Sequence, residues 1–197
     1  MRKLFILILL GPAVLWGDAV WEYPFTELNA QWNYGSGWTG VAGGLEFEKS
    51  MYGKCDPGDD ADFQTTVFLD FPAGCDSMTV SMGTGFLHTG YTMDGGVNVS
   101  MIIQVDPFTS DVVIFNEYDN HSSPGYVSFN VSDSTDVSGT VTLTSALEGR
   151  ILFRASMSGY GYMWATDLHW TMWDMTVTGH GVTRLERDTW GSIKTLL

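Results

Sequence analysis

One segment near the carboxyl end, residues 168–179, constrains the fold of this chain more than any other. It reads LHWTMWDMTVTG, which is rich in tryptophan, threonine and valine and ends at a glycine. This composition is typical of a β-strand. At the strand period of two, its apolar side chains change face near Thr171–Trp173, which indicates a β-bulge or burial on both faces. We expect a central strand, paired on both edges, with these side chains buried: Trp170, Trp173, Met175 and Val177.

The rest of the chain repeats the same pattern of short extended runs. About ten runs of five to nine residues are separated by Gly, Pro, Asp and Ser turns, and no stretch shows a long helical period. The 197 residues suffice for one sizeable core. The sequence therefore predicts an all-β, antiparallel β-sandwich of jelly-roll type over residues 20–182. A tail follows at residues 183–197, in which a short helix can begin at Asp188 or Thr189.

Residues 1–19 have the pattern of a signal peptide. Arg2 and Lys3 precede an apolar run, and small residues stand before Val20. The run contains a Gly-Pro pair and is shorter than the roughly 20 residues that a membrane span needs, although an uncleaved anchor is the alternative. We expect a soluble protein that is secreted or held at the cell surface.

The charge of the chain excludes two classes of partner. After the predicted leader, 7 basic and 22 acidic residues remain, and no Lys or Arg occurs between Lys54 and Arg150. Nucleic acids and anionic membranes both need a basic surface, so we expect neither. The acidity suits a solvated exterior or divalent cations.

The chain has two cysteines, Cys55 and Cys75. In an exported protein, an isolated pair at this separation predicts one disulfide. A zinc site built on two cysteines without a nearby histidine is a poor ligand set.

An acidic loop follows Cys55 directly. Several hard oxygen ligands in a loop suit calcium, although loops of this composition are also ordinary solvated turns. The sequence thus predicts a calcium site whose ligands are drawn from Asp56, Asp59, Asp60 and Asp62.

Aromatic residues make up 14% of the chain, and most of them must fill the core. Exposed aromatic rings would instead stack on the C–H faces of sugars, with polar neighbours orienting the hydroxyl groups. The candidates for such ligand binding are Trp38, Tyr91, Tyr118, Tyr160, Tyr162 and Trp164.

Two ends of the chain resemble a known group of modules. Phe25-x-Glu27 followed by Trp32 resembles the opening of MAM-like and choice-of-anchor adhesin-type modules, and residues 170–179 resemble their closing strand. Those modules are concanavalin-like jelly rolls in which the first and last strands pair. The resemblance implies an alternative metal site at Glu27 and Asp174, although Glu27 stands one place later than the usual pattern. The ending at residues 189–197 resembles Trp-Gly-x-Ile-Lys endings of exported bacterial proteins.

Motifs for catalysis are weak in this sequence. Glu46 and Glu48 lack the third acid of jelly-roll glucanases, and His88, His121, His169 and His180 show no metal spacing. We therefore expect no enzyme but an exported binding or surface module, for a glycan or a cell-surface protein. A structural component of an extracellular assembly is the alternative, followed by a jelly-roll glycosidase or lyase.

Overall fold

The computed structural model describes residues 19–22, 32–33, 37–41, 44–53, 55, 58–72, 77–106, 112–142 and 148–180. In these ranges all regular secondary structure is β-strand, and all strand pairings are antiparallel. This confirms the all-β prediction. The described residues include no helix that could cross a membrane. The strands are β1 (Ala19–Glu22), β2 (Trp32–Asn33), β3 (Trp38–Val41), β4 (Gly44–Tyr52), β5 (Ala61–Pro72), β6 (Ser77–Asp106), β7 (Val112–Ser123), β8 (Val127–Thr142) and β9 (Glu148–His180).

Two very long strands, β6 and β9, form the centre of the molecule. They pair along almost their whole length, from Ser77 opposite His180 to Asp106 opposite Arg150. The other edge of β6 pairs first with β8 and then with β7. The other edge of β9 pairs with β5, β4 and β1 in turn. The first and last strands of the described chain therefore lie side by side.

The ribbon of β6 and β9 is folded over on itself. A straight strand of 30 residues would be about 100 Å long. Thr142 pairs with one end of β6 and Arg150 is opposite the other end. Only seven residues separate Thr142 from Arg150, so these ends lie within about 29 Å of each other. The long strands must therefore bend in the middle.

The bend lies where Asp94 and Gly95 of β6 meet Gly161 of β9, and we call it the corner. Asp94 has a φ of 50° and Gly161 a φ of 104°, a backbone region that L-residues rarely adopt. A Cβ on Gly161 would also lie 2.5 Å from the carbonyl oxygen of Asp94. At the corner the inward-facing side chains of β6 change from even-numbered to odd-numbered positions: Thr92 is buried before it and Val97 after it.

The bend places the two halves of the ribbon in two facing layers. The first layer contains β8, residues 77–92, residues 163–180, β4, β3 and β1; the second contains β7, residues 95–106, residues 148–160, β5 and β2. Trp170 of the first layer stacks on Phe115 of the second, with ring centroids 6.2 Å apart. The buried apolar residues of both layers form one cluster, so the predicted jelly-roll sandwich is confirmed.

The segment 168–179 contains the predicted β-bulge. Asp174 and Met175 together stand opposite the single residue Met82, and Asp174 has a φ of 52°. Trp170, Met175 and Val177 are buried as expected, and β9 is paired on both edges. Trp173, which was also expected to be largely buried, is partly buried; it lies on the outer face, outside the core cluster, where its indole covers Gly83. Residues 1–18 of the predicted leader, the residues after 180 and Glu27 lie outside the described residues, whereas Ala19, the last residue of the predicted leader, begins β1.

Candidate functional site

A polar groove of about 600 Å³ crosses the outer face of the second layer. Four strands contribute to it, because alternate residues of a strand point to opposite faces. Val99 and Met157 turn into the core, and their neighbours turn outward. The outward-facing side chains of the groove are Asp62, Gln64, Asn98, Ser100, Tyr118, Ser156 and Ser158.

The strand register aligns the groove residues in two adjacent rows. One row runs across the sheet through Asn120, Asn98, Ser158 and Asp62. The second row runs through Tyr118, Ser100, Ser156 and Gln64. Each row therefore presents hydroxyl, amide or carboxylate groups at the spacing of neighbouring strands, about 4.8 Å.

Asn98 is the centre of the hydrogen bonding in the groove. Its side-chain nitrogen donates to the hydroxyl of Ser158 at 3.1 Å. Its side-chain oxygen accepts from the hydroxyl of Tyr118 at 3.0 Å and from the amide of Asn120. Three strands are thus connected through one amide, whose orientation is fixed.

Two tyrosine rings border the polar rows. Tyr118 is 59% exposed and Tyr160 is 44% exposed. Tyr160 stands one row from Asn98 and its ring lies over Gly96, where a Cβ would be 2.7 Å from the tyrosine oxygen. The glycine therefore gives the ring the space to lie across the sheet.

The two tryptophans among the predicted ligand-binding residues do not face solvent. Trp38 packs on Phe47 with ring centroids 5.0 Å apart. Trp164 is fully buried and its indole nitrogen donates to the carbonyl oxygen of Asp59 at 2.9 Å. Both rings belong to the interior, which corrects the expectation that they contact a ligand.

The remaining predicted aromatic residues lie away from the groove. Tyr91, on β6 in the first layer, stacks on Tyr126 with ring centroids 5.8 Å apart. Tyr162 is exposed and lies next to the corner glycine, Gly161. Of the six aromatic candidates, the fold brings Tyr118 to the lining of this groove and Tyr160 to the next row on the same face.

The acidic loop is described only in part, because Asp56 lies outside the described residues. Asp60 accepts a hydrogen bond from the backbone N–H of Gly161 at 3.4 Å, and Asp62 lines the groove. The carboxylates of Asp59, Asp60 and Asp62 do not converge into a three-ligand group. The calcium site remains a prediction, as does the alternative site, where Asp174 is exposed in the bulge.

The predicted disulfide is also not decided. Cys55 is exposed, has a φ of 66° and is a free thiol in the structure, whereas Cys75 lies outside the described residues. Pairing of the two cysteines therefore remains a prediction.

Glu46 and Glu48, the nearest approach to a glycosidase pair, lie on β4 in the first layer. Leu45 and Phe47 between them point into the core, so both glutamates face outward, on the side of the sandwich opposite the groove. The carboxylate of Glu46 contacts Nε2 of His169.

A second polar cluster lies between the layers, where β7 and β8 form the edge of the sandwich. It consists of His88 from the first layer and Asp119 and His121 from the second. Asp119 Oδ2 lies 2.7 Å from His88 Nδ1 and 3.0 Å from His121 Nε2. Among the described residues, these three are the His, Cys, Asp or Glu side chains that bring three possible metal-ligand atoms within 4.8 Å of one another.

Burial and hydrogen bonding shape the electrostatics of this cluster. Burial lowers the pKa of His88 below its ordinary value, against the opposing effect of the hydrogen bond with Asp119. Burial acts to raise the pKa of Asp119, but hydrogen bonds with His88 and His121 hold it below its ordinary value. At neutral pH the cluster is therefore a carboxylate facing a neutral, buried imidazole.

Comparisons with known proteins give the fold a distant context. No protein-family model and no curated protein matches the chain. Among solved structures, the N-terminal cellulose-binding domain of a Cellulomonas fimi β-1,4-glucanase is similar at 14% identity, over 80% of this chain and 93% of that one, with a TM-score of 0.32. A family 61 carbohydrate-binding module in complex with β-1,4-galactotriose shares 13% identity over 68% of both chains, with a TM-score of 0.27.

A third similar structure is the family 28 module specific for non-crystalline cellulose, at 9% identity, over 77% of this chain and 87% of that one, with a TM-score of 0.29. A structure of infectious bursal disease virus, at 8% identity over 69% of this chain and 32% of that one, has the same TM-score of 0.29. At such values these likenesses carry no argument about what this chain binds, which must come from its own side chains.

Proposed function

We propose that this protein is an exported, non-catalytic module that binds a glycan chain in the groove on the second layer. The observation that carries the proposal is the pair of polar rows bordered by the exposed rings of Tyr118 and Tyr160. The predicted signal peptide supports export.

The chemistry of the groove suits a sugar better than an apolar ligand. A sugar ring has a C–H face that stacks on an aromatic ring and hydroxyl groups that need donors and acceptors. Tyr118 offers a ring, and Asn98, Ser158 and Gln64 offer amide and hydroxyl groups beside it. The volume of about 600 Å³ falls in the range of small-ligand sites, about 300–1,000 Å³.

The charge of the groove favours a neutral glycan. Asp62 contributes a carboxylate, and the residues that line the groove include neither Lys nor Arg. A carboxylate accepts hydrogen bonds from sugar hydroxyls, but it repels uronic acids and sulfated sugars. We therefore propose a neutral polysaccharide or oligosaccharide as the ligand.

The lining also argues against assembly as the role of this face. Surfaces that mediate stable assembly expose large apolar patches, whereas the two rows consist mainly of hydroxyl, amide and carboxylate groups. A cell-surface protein as partner would have to bind elsewhere on the molecule.

A glycan array with the purified protein, followed by calorimetry on the best ligand, tests the proposal. Tyr118→Ala should weaken binding about twofold to tenfold, since ring stacking contributes roughly 0.5–1.5 kcal/mol. Tyr52→Ala is the matched control, because Tyr52 is 71% exposed on β4 in the other layer. Absence of any glycan ligand, or equal losses in both variants, would contradict the proposal.

A further inference from the structure

We propose that His88, Asp119 and His121 form a binding site for one divalent transition metal ion, for which zinc is the appropriate probe. The three residues come from two facing layers, yet their ligand atoms all lie within 4.8 Å of one another. The site is separate from the glycan groove and does not depend on it.

The spacing of the ligand atoms is close to that of a metal centre. Around tetrahedral zinc, with bonds of about 2.0–2.1 Å, neighbouring ligand atoms lie about 3.3 Å apart. Asp119 Oδ2 lies 2.7 Å from His88 Nδ1 and 3.0 Å from His121 Nε2. Small side-chain movements are therefore enough to admit an ion between them.

The histidine rings are held in place by residues outside the ligand set. His88 Nε2 lies 2.8 Å from the hydroxyl of Thr166, and both side chains are fully buried. Without an ion, a proton on Nδ1 makes the hydrogen bond to the Asp119 carboxylate. When the ion takes the place of that proton, the neutral ring carries its proton on Nε2 and donates it to the hydroxyl of Thr166, which is the second-shell arrangement of metal-binding histidines. His121 is stacked on Phe129 at 4.0 Å and 4°.

The donor set selects the class of metal. Two imidazole nitrogens and one carboxylate oxygen suit zinc and similar transition metals, whereas calcium and magnesium prefer oxygen ligands throughout.

The site is also open on one side. The side chains of Asp119 and His121 are 18% and 21% exposed, whereas His88 is not exposed at all. Three protein ligands and one position facing solvent match zinc sites that retain a water molecule. An ion can therefore enter from the edge formed by β7 and β8.

A bound ion would connect the two layers at this edge. Among the described strands, β7 pairs only with β6, so its other edge has no partner strand there. Asp119 and His121 of β7 would be tied to His88 of the opposite layer. Tyr118 lies between them in sequence but points to the outer face, so the same ion would steady the strand that carries it.

Titration of chelator-treated protein with zinc, by calorimetry, tests the proposal. The wild type should bind one zinc ion, with a rise in melting temperature. His121→Ala and the isosteric Asp119→Asn should abolish this binding. His169→Ala should retain it, since His169 also faces a carboxylate, that of Glu46, but belongs to no three-ligand group.

A second variant tests the role of Thr166, which does not touch the ion. Thr166→Val keeps the side-chain shape and should lower zinc affinity about 10–100-fold. In a separate measurement, cobalt added in place of zinc should give the visible absorption of a tetrahedral site only when His121 is present. Near-ultraviolet circular dichroism checks that each variant is folded. No zinc binding by the wild type, or unchanged stoichiometry and affinity in folded His121→Ala, would overturn the proposal. In that case the three residues serve only to join the two layers by hydrogen bonds.

Discussion

The side-chain oxygen of Asn98 accepts the hydroxyl of Tyr118 at 3.0 Å, so the ring that borders the groove is tied to the amide at its centre. The same amide donates to Ser158 at 3.1 Å. Because both ends of the amide are engaged, Asn98 fixes the side chains of β7 and β9 at once. We expect substitutions at Asn98 to act on the groove more than on the core.

Asn98→Asp should weaken glycan binding more than it lowers stability. Its shape is unchanged, but the donor to Ser158 is lost and a second carboxylate is added near Asp62. Hydrogen bonds of this kind contribute about 1 kcal/mol each, so we expect a fivefold to tenfold loss of affinity, as an order of magnitude. Calorimetry with the ligand from the array measures it, with Asn116→Asp on the neighbouring strand β7 as the control. Equal affinities in both variants would contradict the role of Asn98.

Gly161→Ala should destabilise the fold at the corner. Its φ of 104° is unfavourable for alanine, and the added Cβ would press on the Asp94 carbonyl. We expect a loss of about 2 kcal/mol or more in the free energy of unfolding. Gly125→Ala is the matched control, since it lies in the bend between β7 and β8 and a Cβ there has no neighbour within 4 Å. Chemical denaturation compares the two, and similar losses would show that the corner tolerates a side chain.

Strand pattern predicted the fold class and the bulge near Trp173, because both follow from the local period of apolar residues. The corner could not be predicted in the same way. Residues 77–106 appeared as separate strands interrupted by glycines, whereas Gly95 and Gly96 lie inside one continuous strand that bends. Trp173 lies on the outer face and not in the core, because the bulge at Asp174 and Met175 comes after it and Trp173 keeps the alternation of Trp170 and Met172.

The candidate sites depend on register, which a single sequence does not show. Tyr118 and Tyr160 could be proposed from composition, but their position around Asn98 follows from the pairing of β6 with β7 and β9. His88 and His121 were expected to have no metal spacing because they are far apart in sequence. The fold-over at the corner is what brings them together.

The disulfide predicted between Cys55 and Cys75 can be tested directly. A bond closing this loop would stabilise the native state by about 3 kcal/mol, so reductant should lower the melting temperature. Cys75→Ser should lower it by the same amount and make the protein insensitive to reductant. Two thiols titrated in the native exported protein would contradict the pairing.

Calcium binding by the acidic loop also remains to be tested. Chelator-treated protein should melt at a higher temperature when calcium alone is restored, because a ligand of the native state stabilises it by mass action. Asp60→Asn should reduce this shift if the loop holds the ion, and Asp174→Asn should reduce it if the alternative site does. Identical melting curves with and without calcium would leave the loop as a solvated turn.

Trp170 and Trp173 lie three residues apart on β9 but should contribute differently to the free energy of unfolding. Trp170 is fully buried, stacks on Phe115 and donates its indole N–H to the hydroxyl of Thr84 at 2.7 Å. Trp170→Ala should therefore cost about 3–5 kcal/mol in the free energy of unfolding. Trp173→Ala removes a partly buried ring from the outer face and should cost less than half as much. Chemical denaturation of both variants measures the difference, and a larger loss at Trp173 would mean that the bulge places it in the core after all.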